Sequence, residues 1–375
     1  MKACHSRIAN SNSVSGPTLE FPQNIWQYVF RFGLEAKMKH RTAWSLGHGQ
    51  PCFLLASCLI HVIWLRALAC SEETTQNIAS DALDLLDTPS QSDMPEAMSQ
   101  TTQLELTVMT YNVMCSFCDP SYDPWDERLH YQRDIILRHA PDLIGLQELS
   151  FKEEVDEYLA LNPEYEAIYF TTDNPDAPFP AYPDETILYL KARFKEISRG
   201  FFWLSPTPDE PFSIGFSEGK AQLWRLVGYV LFEDKDTGRR FYFANTHFDP
   251  NHPSQEKSVP LVYERFSDLV TQHPVIFTGD YNLDPGEPAF NSLTQGIQGY
   301  DWHFTLAYDI AQKRIIVTNQ QDQGSLDDRG RGIDLILLAG GDFVCPYWKV
   351  DYMTYGERHL YPSDHFAISA RVILK

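Results

Sequence analysis

The sequence predicts an α/β (α+β) fold in which mixed β-sheets carry helices on their outer faces. Three observations lead there. Apolar runs of strand length recur at 106–111, 142–147, 185–190, 226–232, 240–246, 274–278, 313–318, 332–338 and 366–373. Helical patterns occupy 126–140, 151–161 and 257–272 between some of them. Strands and helices do not alternate strictly, and the runs 226–232 and 240–246 are joined through Asp236, Thr237 and Gly238 as a hairpin would be, so the sheets are mixed rather than purely parallel.

The chain reaches that body through two segments of different charge. Residues 1–70 hold seven Lys/Arg against two Asp/Glu, residues 71–104 none against seven, and residues 105–375 hold 23 against 42, within a total of −21. From Met38 the order is a basic start, an apolar run from Pro51 to Leu65, then Ala67-Leu68-Ala69, the layout of a secretory signal; residues 1–70 are expected to be a leader whose true start is Met38. The run is short and interrupted by His61 and Arg66, which disfavours a membrane span; membrane association through the leader or a lipid on Cys70 is the remaining route. The expected location is secreted, periplasmic or envelope-attached. Residues 71–103, acidic and rich in Ser and Thr, are expected to be a flexible tether, and 104–375 the folded domain. An acidity of this size lacks the field that grips a nucleic-acid backbone, so it disfavours long duplex DNA as a partner. It does not exclude a metal-dependent phosphoesterase, because a divalent cation screens a carboxylate-rich cleft.

Seven cysteines are too few for a disulfide scaffold in a chain this long. Cys115 and Cys118 have the C-x-x-C spacing, but no second pair completes a zinc site; a disulfide between them or two unpaired thiols is expected instead.

Chemistry gathers at strand ends. Asn112 ends "LTVMTYN", Glu148 ends "PDLIGLQE", His247 and Asp249 end "FYFANTHFD", and Asp280 and Asn282 end "VIFTGDYN". Asp334 opens "DLILL", and Asp364-His365 stands before the last strand. Any one of these is an ordinary turn or cap residue. Six strand edges carrying carboxylates, amides and imidazoles form the donor set of a hard, oxygen-preferring cation beside acid–base groups.

In that order, "TYN", "LQE", "NTHFD", "GDYN", "IDLILL" and "SDH" resemble the endonuclease/exonuclease/phosphatase superfamily, the deoxyribonuclease I-like enzymes, over about residues 105–375. "FFWLSPTPDEP" at 201–211 and "NTHFDPNHPSQEKSVPLV" at 245–262 are most similar to its exported bacterial branch. The resemblance implies a four-layer sandwich of two mixed β-sheets flanked by helices, with the site at one edge. It implies Mg²⁺, or Mn²⁺, held by Glu148 with Asn112 and Asp364 nearby. It implies that Asp280 orients or deprotonates the attacking water, Asn282 holds a phosphate oxygen or the nucleophile, and His365, fixed by Asp334, donates to the phosphoryl group. His247 would contact phosphate or protonate the leaving oxygen. The substrate is a phosphoester, small or lipid-derived, with a nuclease or a catalytically inactive binding protein as alternatives. Arg225 would reach a substrate phosphate or form a surface ion pair, and Asp249 would tune His247 or serve the turn before Pro250. Trp203 and Trp224 are expected to pack, His252 to lie in an exposed loop, and Arg239-Arg240 and Arg329–Arg331 to be solvated turns. Residues 201–203 or 347–352 would enter lipid only from the rim. Oligomeric state is not legible.

Overall fold

A computed structural model describes residues 103–174, 181–216, 223–319 and 332–375. The leader, Cys70, most of the tether and Arg329–Arg331 lie outside the described residues. Among those described, one sheet has the order β10-β12-β13-β1-β2-β4-β3 and the other β5-β6-β7-β8-β11-β9. The strands are β1 (Leu104–Asn112), β2 (Leu143–Gln147), β3 (Tyr165–Thr171), β4 (Ala181–Leu190), β5 (Phe194–Trp203), β6 (Leu226–Asp234) and β7 (Arg240–His247). They continue with β8 (Val275–Asp280), β9 (Thr305–Leu306), β10 (Arg314–Thr318), β11 (Asp334–Ala339), β12 (Phe343–Tyr352) and β13 (Ile368–Leu374). Helices α1 (Trp125–His139), α2 (Lys152–Leu161), α3 (Ser254–Gln272), α4 (Pro288–Gln295) and α5 (Ala307–Ile310) join them.

Strand alternation builds the layers. Ile276 of β8 faces the other sheet, in a core with Leu106, Val108, Phe243, Ile336 and Val350. Val275 and Phe277 face the opposite way and pack with Val262, Phe266 and Leu293 of α3 and α4. On the far side Met109, Ile144 and Leu188 pack with Ile136 of α1 and Tyr158 of α2. The result is helix, sheet, sheet, helix, the deoxyribonuclease I-like sandwich.

Four strands have no counterpart among the expected runs, and each has a reason. β5 is an edge strand with Lys195, Glu196 and Arg199 along it, the charge pattern that guards an exposed edge. β3 is also an edge strand, and β9 is two residues long. β12 contains Pro346, and its pairing with β13 shifts register between Val344 and Tyr347, so a bulge absorbs the missing N–H. Because 347–352 runs inside this sheet, with Trp348 and Tyr352 buried, it is not a lipid-entering loop; Phe201 does lie at the surface, 44% exposed. In α1 the buried face is Leu129, Gln132, Ile136 and His139, while Leu137 is 57% exposed: it falls off the stripe that the i, i+3, i+4, i+7 spacing defines.

Close approach of the sheets near the site depends on Gly145. A Cβ there would lie 2.2 Å from Thr278 Oγ1 and 2.4 Å from Asn245 Oδ1, so any larger residue would push β2 away from β7 and β8.

Candidate active site

Strand register brings the site together. Parallel pairing sets His247 of β7 opposite Asp280 of β8, and antiparallel pairing sets Asp334 of β11 opposite the same Asp280. In the facing sheet Asn112 of β1 pairs with Gln147 of β2, which puts Glu148 just past that edge. β13 runs antiparallel to β1, so Asp364 and His365, which precede it, arrive at the edge where β1 ends.

Asp280 is the hub. Its Oδ2 accepts from Asn112 Nδ2 at 3.0 Å, a bond that crosses between the sheets, and lies 3.5 Å from His247 Nε2 and 3.6 Å from His365 Nε2. Its Oδ1 accepts from the Asn282 N–H at 3.0 Å. Each imidazole has its own carboxylate behind it. His365 Nδ1 is 2.9 Å from Asp334 Oδ2, and His247 Nδ1 is 3.1 Å from Asp184 Oδ1.

The two rings are not equivalent. For His365, burial opposes the charged form, but the carboxylates of Asp334, Asp280 and Asp364 outweigh it and push the pKa up to about 10. Burial raises Asp334 to about 6 in spite of His365. At neutral pH the pair is therefore a carboxylate and an imidazolium. His247 instead has the Arg225 guanidinium 3.3 Å from its Nε2, and a guanidinium can only donate. The Nε2 lone pair thus accepts, and the proton sits on Nδ1, donated to Asp184. In the metal-free protein an NMR titration of His365 should give a midpoint well above 6.5, and Asp334→Asn should bring it down. The raised value means that His365 adds stability in full below about 6.5, lost as the pH rises through about 10. A midpoint near the ordinary histidine value would rule out the charged donor.

Asp184 is the residue that sequence reasoning missed. It accepts from the Glu148 N–H at 2.7 Å, from His247, and from Arg225. Burial opposes its ionisation, but Arg225 and His247 outweigh it and hold its carboxyl well below the usual range. Its signal is a carboxylate at the head of an apolar run, as at Asp334, but the run starts at 185 in the sequence whereas β4 begins at Ala181. Arg225 is correspondingly not a surface ion pair. It is half-buried, paired with Asp184 and turned toward His247.

One pair of alternatives is decided and one expected role changes. Asp249 serves the turn, accepting from the Asn251 N–H and Nδ2 at 2.8 Å each, while Asp184 sets the tautomer of His247. Asn282 lies past the strand, with its amide held by the backbone rather than free for a phosphate oxygen: β8 ends at Asp280, Asn282 has a left-handed φ of 49°, and its Nδ2 donates to the Phe248 carbonyl at 2.9 Å. Trp203 and His252 fall as expected, the first buried and the second exposed. Arg239 is tied to the carbonyls of Leu374 and Lys375, and Arg240 to Glu233.

Glu148 stands at the mouth, half-buried, with φ at 70°, a strained value for a residue with a Cβ. Its Oε1 accepts from Asn112 Nδ2 at 3.0 Å and its Oε2 from the Cys115 N–H at 3.1 Å. Cys115 and Cys118 form a disulfide. Buried Arg128 braces this loop, its Nη1 donating to the carbonyls of Val113, Met114 and Pro362 and its Nη2 to that of Cys115. Asp364 is exposed, one residue before His365. Carboxylate oxygens open to water suit a hard divalent cation that keeps part of its water shell. Asn112 presents its NH₂ to Glu148 and Asp280 and its Oδ1 to the Met114 N–H, so the structure uses it as a brace between carboxylates rather than as an oxygen ligand.

At the edge of a two-sheet sandwich, two Asp-supported imidazoles around one carboxylate form a centre built for acid–base chemistry. The Endonuclease/Exonuclease/phosphatase family model matches residues 109–365, and the chain belongs to that family, whose members hydrolyse phosphoester bonds and in general work with a divalent metal ion. The fold resembles the endonuclease/exonuclease/phosphatase of Bacteroides vulgatus, at 22% identity and TM-score 0.60 over 72% of this chain and 100% of that one. It also resembles a mannosyl-6-phosphatase of Bacteroides thetaiotaomicron, at 25% identity and TM-score 0.58 over 71% and 99%. Two uncharacterized proteins of Acanthamoeba polyphaga mimivirus are 27% identical over 43% of this chain and 31% identical over 63% of it. The chain spans 60% and 40% of their lengths.

Proposed function

We propose that this protein is an exported, Mg²⁺-dependent phosphoesterase that hydrolyses a small or lipid-derived phosphoester by in-line attack of water. The observation that carries this reading is Asp280 Oδ2 standing 3.5 Å and 3.6 Å from two imidazole nitrogens of opposite character. Asp280 orients the water and draws on its proton. His247, whose Nε2 lone pair faces Arg225 and Asp280, receives that proton and returns it to the leaving oxygen. His365, charged and held by Asp334, donates to a phosphoryl oxygen as negative charge builds there. Arg225 lies beside His247, where its guanidinium stabilises the same charge. Positioning and charge neutralisation are the main contributions in such a reaction. Glu148 with Asp364 would hold the divalent cation, which when bound adds further neutralisation of the phosphoryl oxygens.

The charge of the body, 23 Lys/Arg against 42 Asp/Glu over 105–375, supports a small substrate over a nucleic acid. The neighbour named as a mannosyl-6-phosphatase supports including a sugar phosphomonoester among those tried. Export is supported by the signal-like order from Met38 to Ala69.

Purified protein should be offered bis-p-nitrophenyl phosphate, mannose 6-phosphate, an inositol phosphate, sphingomyelin, and single- and double-stranded DNA, with and without Mg²⁺. Metal-dependent turnover of a small phosphoester, reduced about 10²- to 10⁴-fold in His365→Ala, is expected. Preference for DNA would replace this reading with a nuclease, and turnover unchanged in the variant would place the chemistry elsewhere.

A further inference from the structure

The Cys115–Cys118 pair lacks a partner in the sequence but gains one in the fold. Glu148 arrives from the end of β2, and its Oε2 lies 3.9 Å from Cys118 Sγ. One ligand atom from each of the three residues falls within 4.8 Å of the others. Cys115 is buried, Cys118 exposed and Glu148 half-buried, so the group opens to solvent on the Cys118 side. The loop that carries both cysteines is fixed from below by Arg128 and closed by a turn from the Cys118 N–H to the Cys115 carbonyl at 3.4 Å.

We propose that, once the disulfide is reduced, the two thiolates and the Glu148 carboxylate form a site for a thiophilic divalent cation such as Zn²⁺, and that the bound ion withdraws Glu148 from catalysis. A dithiol supplies two electrons and two protons, is itself oxidised to a disulfide, and leaves Cys115 and Cys118 as thiols. The cation then displaces the two thiol protons. Zinc takes Cys sulfur at about 2.3 Å and carboxylate oxygen at about 2.0–2.2 Å, so a tetrahedral centre separates these ligand atoms by roughly 3.5–3.8 Å. The separation of 3.9 Å between Cys118 Sγ and Glu148 Oε2 is already close to that. The C-x-x-C spacing is that of zinc-binding pairs, and three protein ligands leave the fourth position to water. A soft-ligand pair favours Zn²⁺ over Mg²⁺, which takes oxygen. Occupation also competes for the Oε2 that now accepts from the Cys115 N–H. The inhibitory half of the proposal rests on the assignment of Glu148 to the catalytic metal, whereas the binding half does not.

The test uses the full chain, oxidised or reduced with dithiothreitol and desalted without oxygen. Zn²⁺ uptake is measured against a chromophoric chelator, and Co²⁺ is added as a spectroscopic stand-in. The reduced protein should bind one more Zn²⁺ than the oxidised protein and show a thiolate-to-cobalt charge-transfer band. Both should disappear in Cys118→Ser, which separates this pair from the other five cysteines. Glu148→Gln should weaken uptake at least about tenfold, since losing even a group that only supports a metal ligand costs that much. Mg²⁺-supported turnover should fall with Zn²⁺ in the reduced protein and much less in the oxidised one. Equal uptake by reduced and oxidised protein, or uptake that survives Cys118→Ser, would overturn the site. Uptake without inhibition would overturn the link to Glu148. An absence of turnover under all conditions would count against the phosphoesterase alone, since metal uptake still decides the site.

Discussion

Replacing Asp280 with Asn should lower kcat by about 10²- to 10⁴-fold while the protein stays folded, the range expected when a positioned acid–base group is lost. The amide nearly matches the carboxylate in shape, so the interlocking of β8 with β7 and β11 survives. What is lost is the charge that faces His247 and His365 and the acceptor that draws on the water's proton. One of the two donors now served by the carboxylate, Asn112 Nδ2 or the Asn282 N–H, would meet an NH₂ group. That mismatch costs about 1–3 kcal/mol of stability, too little to unfold a domain with this core. Turnover and thermal unfolding measured on the same sample separate the two effects. A loss in kcat and kcat/KM of equal size identifies an interaction made in the transition state. A kcat within about tenfold of wild type would remove Asp280 from the acid–base role.

Asp184→Ala should damage both stability and activity. It leaves the half-buried Arg225 guanidinium beside His247 without its carboxylate; deleting one partner of a buried pair costs about 3–5 kcal/mol, and less here because Arg225 keeps part of its contact with water. It also frees the N–H of Glu148, whose left-handed backbone is held in part by that bond, and releases the Nδ1 proton of His247. Urea midpoints and turnover of Asp184→Ala and Asp184→Asn tell these contributions apart. The Asn variant should recover much of the stability but little of the activity, because an amide can present its NH₂ to His247 and favour the wrong tautomer. A double change of Asp184 and Arg225 to apolar residues should recover stability with no activity. If Asp184→Ala stays within about 1 kcal/mol of wild type, the Asp184–Arg225 pair contributes no more than an exposed ion pair does.

The residues that make the site were legible because each ends or begins a strand with a polar group where an apolar run stops. Their order along the chain resembled one family, and the family model spans 109–365. Asp184 escaped because the strand that carries it opens with Ala181, Tyr182 and Pro183, which resembles a loop until it is seen pairing with β3. The edge strand β5 escaped because its charges protect an exposed edge, and β12 because a proline sits at its bulge. Strand alternation does not extend to Asn282. The rule that i and i+2 share a face holds only while the backbone stays extended, and a φ of 49° ends it.

By itself the sequence determined the class of fold, the family and the group of strand ends where the chemistry lies, since hydrophobic periodicity and residue type are local properties of the chain. Tertiary structure decided which carboxylate serves which imidazole, that Arg225 pairs with Asp184, that Asn112 braces rather than ligates, and that the Cys115–Cys118 disulfide meets Glu148. These are contacts between residues far apart in the chain, set by strand register and sheet packing, and no local pattern encodes the distance between two side chains that meet only after the sheets have closed.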